Sequence, residues 1–439
     1  MSLMDRERTI VETIDRNRDE LIALLSDLIG FDTVARDAGQ LPRDEAALQH
    51  YLAGRLGALG AHTEVWEPPP DEVVGYRLIS AGLGFEGRPQ MLARFAGSGG
   101  GRSLLLNGHI DVVSAEPRER WTSDPHQAEV RQGKLYGRGA CDMKGGIACM
   151  VFAAETLARL GIQLAGDLLI CTVTDEESTG AGGAAAVAHG VRADAAIVTE
   201  PSNFEVWIAC RGSLIPLITV TGRPGHAGFP QPHWSEGGAV NAIEKIQVVM
   251  DAMQRLQHEW HTHPSHRHPL LSPGDIVPVQ IEGGEWAVSY PSSCRLTYHV
   301  AYLPGQADEG GWGSAVEREI CDWIERAAQT DPWLALHPPT IEWAPDVPSA
   351  EVSAEEPIVA MVLQAASDVG RPGRIAGMDN WHDGATFTRL GGTPSICFGP
   401  GDTRLAHAID EYVPIDSLVG CAQAIALAAL RFSGDAVRP

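Results

Sequence analysis

Four stretches of this chain, SLLLNG, DLLICTVT, DAAIVTE and TPSICFG, carry apolar residues at consecutive rather than alternate positions, and nothing else in it restricts the fold as tightly. A strand with one wet face alternates, so an unbroken apolar run needs cover on both sides. That cover is present in the Ala-rich segments GGIACMVFAAETLARLG and GGAAAVAHG, which lie between the runs with helical composition. Strands interleaved with helices predict an α/β domain: a mixed, mostly parallel sheet with helices on both faces. Helical spacing of Ile10, Ile14, Leu21, Leu25 and Leu28 extends over about Arg6 to Ile29, and a second helix is predicted from Asp44 to Leu59.

Between about Ser213 and Trp343 the pattern changes. It reads as an alternating strand LIPLITVTG, a helix over Ala239–Leu256, strands DIVPVQIEG and RLTYHVAYL, a helix around Ala315–Ala328, and a strand PTIEW. The order βαββαβ describes an α+β, ferredoxin-like sheet of its own, inserted into the larger domain. At 439 residues the chain is too long for one ordinary core. Residues 1–212 and 346–439 are therefore expected to form a discontinuous catalytic domain, with 213–345 as the insertion. The His-rich tract QHEWHTHPSHRHP, covering His258 to His268, reads as a solvated loop.

Lys plus Arg number 33 against 57 Asp plus Glu, a formal charge of −24 that repels phosphate backbones and anionic lipid. Nucleic acid is not an expected partner. Eight scattered cysteines without a CxxC pair suit free thiols in a reducing cytoplasm. No run is read as a membrane span, and MSLMDRERTI lacks an apolar signal core.

The predicted strands end in side chains that bind metals. His109 follows LLLNG, Glu176 and Glu177 follow TVTD, Glu200 closes IVTE, and His407 lies downstream of the last strand in FGPGDTRLAHAIDEY. Open α/β sheets build their sites at the carboxyl ends of strands, so these positions converge. Asp142, in the Gly-punctuated GRGACDMKGG, is a fifth candidate; that segment lacks the Gly-Lys-Ser/Thr of a phosphate-binding loop. Imidazole and carboxylate together suit Zn, Mn or Co. Two His and three carboxylates exceed the needs of one tetrahedral ion and match a pair of ions about 3.5–4 Å apart. Asp142, Glu177, Glu200 and one hydroxide balance two divalent cations, which leaves Glu176 or Glu177 uncommitted. Adjacent side chains in an extended segment point apart, so one can bind metal while the other acts as a base. In HID, His109 and Asp111 share a side, so Asp111 can orient the imidazole.

GHIDVV, GRGACDMKGG, TDEEST, TEPS and GPGDTRLAH together resemble the motifs of the M20 metallopeptidase family, in the same order and at similar spacings. That family includes acetylornithine deacetylase, succinyl-diaminopimelate desuccinylase, aminoacylase and glutamate carboxypeptidase. The resemblance implies a zinc-exopeptidase-like fold with a lid and dimerisation domain. It implies two divalent ions per subunit, zinc first with cobalt or manganese as alternatives. His109, Asp142 and Glu200 would hold one ion, and Asp142, Glu177 and His407 the other. Glu176 becomes the general base, Asp175 a structural residue, and the Asp142–Met143 peptide cis. His226 in RPGHAGFP matches a histidine that reaches into the partner subunit's site of a homodimer and donates to the oxyanion. The implied reaction is hydrolysis of a small N-acylated amine or amino acid, as in an acetylornithine deacetylase-like deacylase.

Members that read a substrate carboxylate carry an Arg and an Asn where this chain has Ala301 and Val288. Arg211 in CRGS matches a family Arg that either meets an anion or serves at the hinge. Asn380, Trp381 and His382, in GMDNWHDGATF, fall where the family places a substrate-contacting loop. A dipeptidase or carboxypeptidase would use the same metals but needs a carboxylate reader. A catalytically silent metal-binding protein would have lost the base, and Glu176 is present.

Overall fold

The unbroken apolar runs form the middle of a nine-stranded sheet in the computed structural model, which describes residues 3–35, 41–69, 73, 76–79, 83–344 and 346–435. Its strands are β1 (His62–Trp66), β2 (Gln90–Phe95), β3 (Leu104–His109), β4 (Leu168–Val173), β5 (Ala195–Val198), β6 (Val206–Cys210), β7 (Ala350–Glu351), β8 (Ile375–Met378) and β9 (Ser395–Cys397). They are ordered β1-β2-β4-β3-β5-β9-β6-β7, with β8 paired to β6. The central four, β4-β3-β5-β9, run parallel. Antiparallel pairs flank them. Every residue of β3, β4 and β5 is buried, as a run without polar alternation requires.

Helices lie on both faces. Leu105, Leu169, Val173 and Ala196 from the strands pack with Ala186, Val187 and Phe387 from the helices Ala181–Ala188 and Asp383–Arg389. The helix Lys144–Arg159 packs on β3 and β4 and against the helix Ile415–Ser433. Two glycines let this helix begin close to the strand ends. A Cβ on Gly146 would lie 2.0 Å from the Thr199 carbonyl oxygen, and one on Gly145 2.4 Å from that of Ala140.

The chain divides into two compact units. The larger consists of Met1–Ala209, Ala350–Gly377 and His382–Pro439, and the smaller of Cys210–Ser349 and Met378–Trp381. The smaller unit's sheet runs Asp275–Gly283, Ser293–Tyr302, Pro216–Thr221, Thr340–Trp343, with the short strand Gly212–Leu214 beside Ser293–Tyr302. All its pairs are antiparallel, and the helices Ala242–Thr262 and Ser314–Ala328 complete a ferredoxin-like order.

Three sequence expectations change. The N-terminal helix is two helices, Asp5–Arg16 and Arg18–Gly30, parted at Asn17, whose short amide side chain disfavours a helix interior. The helix of the smaller unit continues to Thr262 because Leu256 and Trp260, one turn apart, are both fully buried. His258 and His261 therefore lie on a helix rather than in a loop. The helix Ile415–Ser433 is long and apolar enough to cross a membrane, but 89% of its apolar window is buried inside the protein.

Candidate active site

Because the central strands are parallel, their carboxyl ends open on one side, and the predicted ligands gather there. His109 is the last residue of β3, Glu200 follows β5, and Glu176 and Glu177 follow β4. Asp142 precedes the helix Lys144–Arg159 across a cis peptide to Met143. His407 sits in the loop after β9 with φ of 60°.

Asp142 turns one oxygen to each imidazole. Its Oδ1 lies 3.3 Å from His109 Nε2 and its Oδ2 3.5 Å from His407 Nε2. Glu200 Oε1 is 3.7 Å from His109 Nε2, and Glu177 Oε2 is 3.1 Å from His407 Nε2. Glu176 Oε2 stands 3.8 Å from His109 Nε2. Single donor atoms of His109, Asp142 and Glu177 lie within 4.8 Å of one another. The adjacent glutamates thus address different imidazoles. Strand alternation is not the cause, since β4 ends at Val173 and both residues lie on a turn.

Asp111 holds that turn. Its Oδ1 accepts from the Glu176 amide at 3.3 Å and its Oδ2 from the Glu177 amide at 3.0 Å. His109 Nδ1 lies 2.9 Å from the Asp111 main-chain carbonyl, against 3.6 Å from the carboxylate. The imidazole is therefore oriented by the backbone of Asp111, while the side chain is spent on the glutamate turn. Asp175, with φ of 62°, pairs with Arg88 at 2.6 Å, and both are buried. Gln90 accepts from the Thr174 amide at 2.9 Å.

Burial raises the pKa of Glu176 and Glu200 well above the carboxylate range and raises Glu177 as well. Burial also pushes Asp142 up, but hydrogen bonds from His109 and His407 hold it well below its usual value. His407 is raised to about 10, first by its hydrogen bond to Asp142. Burial opposes the charge on His109, yet Glu176 and the other carboxylates lift its pKa overall. Four carboxylates packed around two imidazoles, with no Lys or Arg among these contacts, are a donor set in want of cations. The residues fit a pair of divalent ions.

Of the remaining candidates, Arg211, His226, Asn380 and Trp381 belong to the smaller unit and His382 to the larger. Arg211 Nε and Nη2 donate to the Asp379 carbonyl at 2.9 and 2.6 Å, and Nη1 donates to that of Pro273 at 2.9 Å. That guanidinium is engaged in fastening a loop within the smaller unit. Asn380 in the same loop is exposed, and Trp381 is buried. His382 is buried, its Nδ1 accepting from the Gly384 amide at 3.0 Å, and burial lowers its pKa to about 4. His226 is exposed on the smaller unit. In the His-rich tract, His261 lies 3.3 Å from Asp275, and His263 and His266 bond to Ser265 and Gln306. Among the described residues, the group able to hold an ion is the one at His109, Asp142 and Glu177. Arg88 and Glu411, the latter buried four residues after His407, stand outside every M20-like motif of the sequence. Neither carries a local signal, since each acts through partners distant in the chain.

A model described as Peptidase family M20/M25/M40 matches residues 105–431. The chain belongs to this family. This M20 chain is 30% identical to an N-formyl-4-amino-5-aminomethyl-2-methylpyrimidine deformylase of Halalkalibacterium halodurans, over 92% of either chain. It is 29% identical to an acetylornithine deacetylase of Pectobacterium carotovorum, over 90% of this chain and 94% of that one. Its fold resembles the Bacillus subtilis YXEP protein, a dinuclear metal binding peptidase of the M20 family, with a TM-score of 0.64 at 14% identity over 94% and 98% of the two chains.

Proposed function

We propose that this M20 chain is a dinuclear-metal amidohydrolase that removes an acyl group, formyl foremost, from a small N-acylated amine. The observation that carries the reading is the pair Glu176 and Glu177, neighbours on one turn that reach different imidazoles beside Asp142. His109, Asp142 and Glu200 would hold one ion, and Asp142, Glu177 and His407 the other. Two divalent ions, zinc first and cobalt or manganese next, would supply Lewis acidity and a more acidic water. Glu176, 3.8 Å from His109 Nε2, takes the water's proton and passes it to the leaving nitrogen. Asp111 keeps Glu176 and Glu177 in their separate directions by holding both amides.

His226 Nδ1 accepts from the Gly228 amide at 3.0 Å, so in the neutral ring the proton sits on Nε2. That N–H is the donor offered to a developing oxyanion in the partner subunit of a homodimer. Support for a dimer comes from the edge strand Asp275–Gly283, which leaves Val277, Val279 and Ile281 exposed. Glu176→Ala and His226→Ala chains, each inactive, should recover activity when unfolded and reassembled together. Random pairing makes about half the dimers mixed with half their sites intact, so about a quarter of wild-type sites return. No recovery in verified mixed dimers would remove His226 from the partner's site.

The substrate class is supported by Ala301 and Val288, which offer no charge-assisted partner to a carboxylate, and by Arg211, whose guanidinium is committed to main-chain carbonyls. Each such partner contributes about 1.5–3 kcal/mol. An N-formyl amine bearing an aromatic heterocycle, as in the name of the deformylase relative, is the first compound to test. N-formyl, N-acetyl and N-succinyl amines and dipeptides should be assayed with zinc, cobalt and manganese supplied in turn. We expect an N-acyl amino acid to have a kcat/KM no higher than its carboxamide. A strong preference for the free acid that vanishes in Arg211→Ala would show a carboxylate reader, and dominant dipeptide turnover would make the enzyme a dipeptidase. That none of the eight cysteines forms a disulfide supports a cytoplasmic setting.

A further inference from the structure

We propose that Glu411 is a positioning residue for the metal centre: its carboxylate sets the turn that presents Asp142 and ties that turn to the segment carrying His407. Glu411 is 1% exposed. Its Oε1 accepts from the main-chain amides of Cys141 at 2.8 Å and Asp142 at 3.0 Å. Its Oε2 accepts from the Gly139 amide at 3.1 Å and from Arg138 Nη1 at 2.7 Å. A carboxylate has about four acceptor positions, and here all are taken by the segment 138–142. Nothing remains for substrate or solvent, so whatever Glu411 does, it does through that turn.

The partner side of the arrangement reaches the other imidazole. Arg138, 2% exposed, donates from Nη1 to the carbonyl of Ala408 at 3.3 Å as well, next to His407. Its Nη2 donates to the Ser114 carbonyl at 3.1 Å. The flanking strands Lys134–Tyr136 and Tyr412–Pro414 pair antiparallel, with Tyr136 opposite Tyr412. The stretch from Arg138 to Asp142 and the stretch from His407 to Glu411 are thus locked together at each end. An amide cannot replace this carboxylate, because Gln presents one acceptor oxygen and turns an NH2 toward donors. Three buried amides would then compete for one oxygen, and the Asp142 turn would lose its fixed geometry.

This inference rests on the reading of Asp142 as a shared metal ligand, and the experiment separates the two. Metal-stripped wild type, Glu411→Gln and Glu7→Gln are titrated with zinc against a chelating indicator, and the thermal unfolding midpoint of each metal-free protein is recorded. Glu7 is a suitable control, being a buried carboxylate paired with Arg431 at 2.8 Å on the first helix. Glu411→Gln should bind zinc about 10- to 100-fold more weakly, the loss usual for a partner behind a ligand. Glu7→Gln should bind zinc as wild type does even where its unfolding midpoint falls. A folded Glu411→Gln protein with wild-type zinc affinity overturns the proposal. Failure of the wild type to bind zinc, cobalt or manganese, each titrated in the same way, overturns the assignment of Asp142 instead. If Glu411→Gln does not fold, Arg138→Lys tests the same lock: the Nη1 group shared by Glu411 and Ala408 and the Nη2 bond to Ser114 are lost while the charge stays. A zinc affinity lowered about tenfold supports the proposal, and an unchanged one overturns it.

Discussion

Glu176→Gln lowers kcat by about 10²- to 10⁴-fold while the enzyme keeps its two ions. The amide preserves the volume and hydrogen-bonding reach of the side chain but accepts no proton at neutral pH. Glu176 is partly buried, its carboxylate 3.8 Å from His109 Nε2 and so beside the cluster proposed to hold the ions. Its neighbour behaves differently. Glu177 lies 3.1 Å from His407, and on the proposed assignment Glu177→Gln removes a charged ligand, so metal content is expected to fall along with turnover. Elemental analysis and single-substrate kinetics on both variants distinguish the roles. Loss of metal from Glu176→Gln with retention in Glu177→Gln would exchange them.

Asp142→Ala leaves the protein unable to retain either ion. One oxygen faces His109 and the other His407, so on the proposed assignment a single truncation withdraws a ligand from both positions. The loss exceeds the roughly 10–100-fold fall in affinity that follows removal of a partner behind a ligand. Glu200→Ala acts on one position only and mainly weakens the ion shared with His109. Inductively coupled plasma measurements after gel filtration give the stoichiometry directly. Two ions retained in Asp142→Ala would end the assignment of a shared ligand.

Much of this was legible in the sequence because both the fold and the site depend on local patterns. Unbroken apolar runs demanded a covered sheet, and the sheet's parallel centre then fixed where His109, Glu176, Glu177 and Glu200 emerge. What escaped detection depends on contacts between distant segments. The spacing of His109 and Asp111 pointed to a carboxylate–imidazole pair, yet the carboxylate is occupied 65 and 66 residues away by the amides of Glu176 and Glu177. Arg88 meets Asp175 across 87 residues, and Glu411 meets Asp142 across 269. No periodicity records such pairings. The end of the helix at Thr262 was equally hidden, because it depends on the burial of Trp260 rather than on the polar residues around it.

The four residues Met378–Trp381 belong to the smaller compact unit although the chain on both sides of them belongs to the larger. Within that unit Asp379 is fastened by Arg211 and by both the amide and hydroxyl of Ser272, at 2.8 and 2.6 Å. For anyone building chimaeras, the inserted unit is consequently not a cassette with two splice points. Exchange of 210–349 for the matching piece of a relative would pair a foreign Arg211 and Ser272 position with a native loop. A graft that keeps this fastening has to carry two fragments from one parent, the long insertion and the short loop beyond it. Recombination between relatives meets the same restriction, so these two stretches are expected to be inherited together.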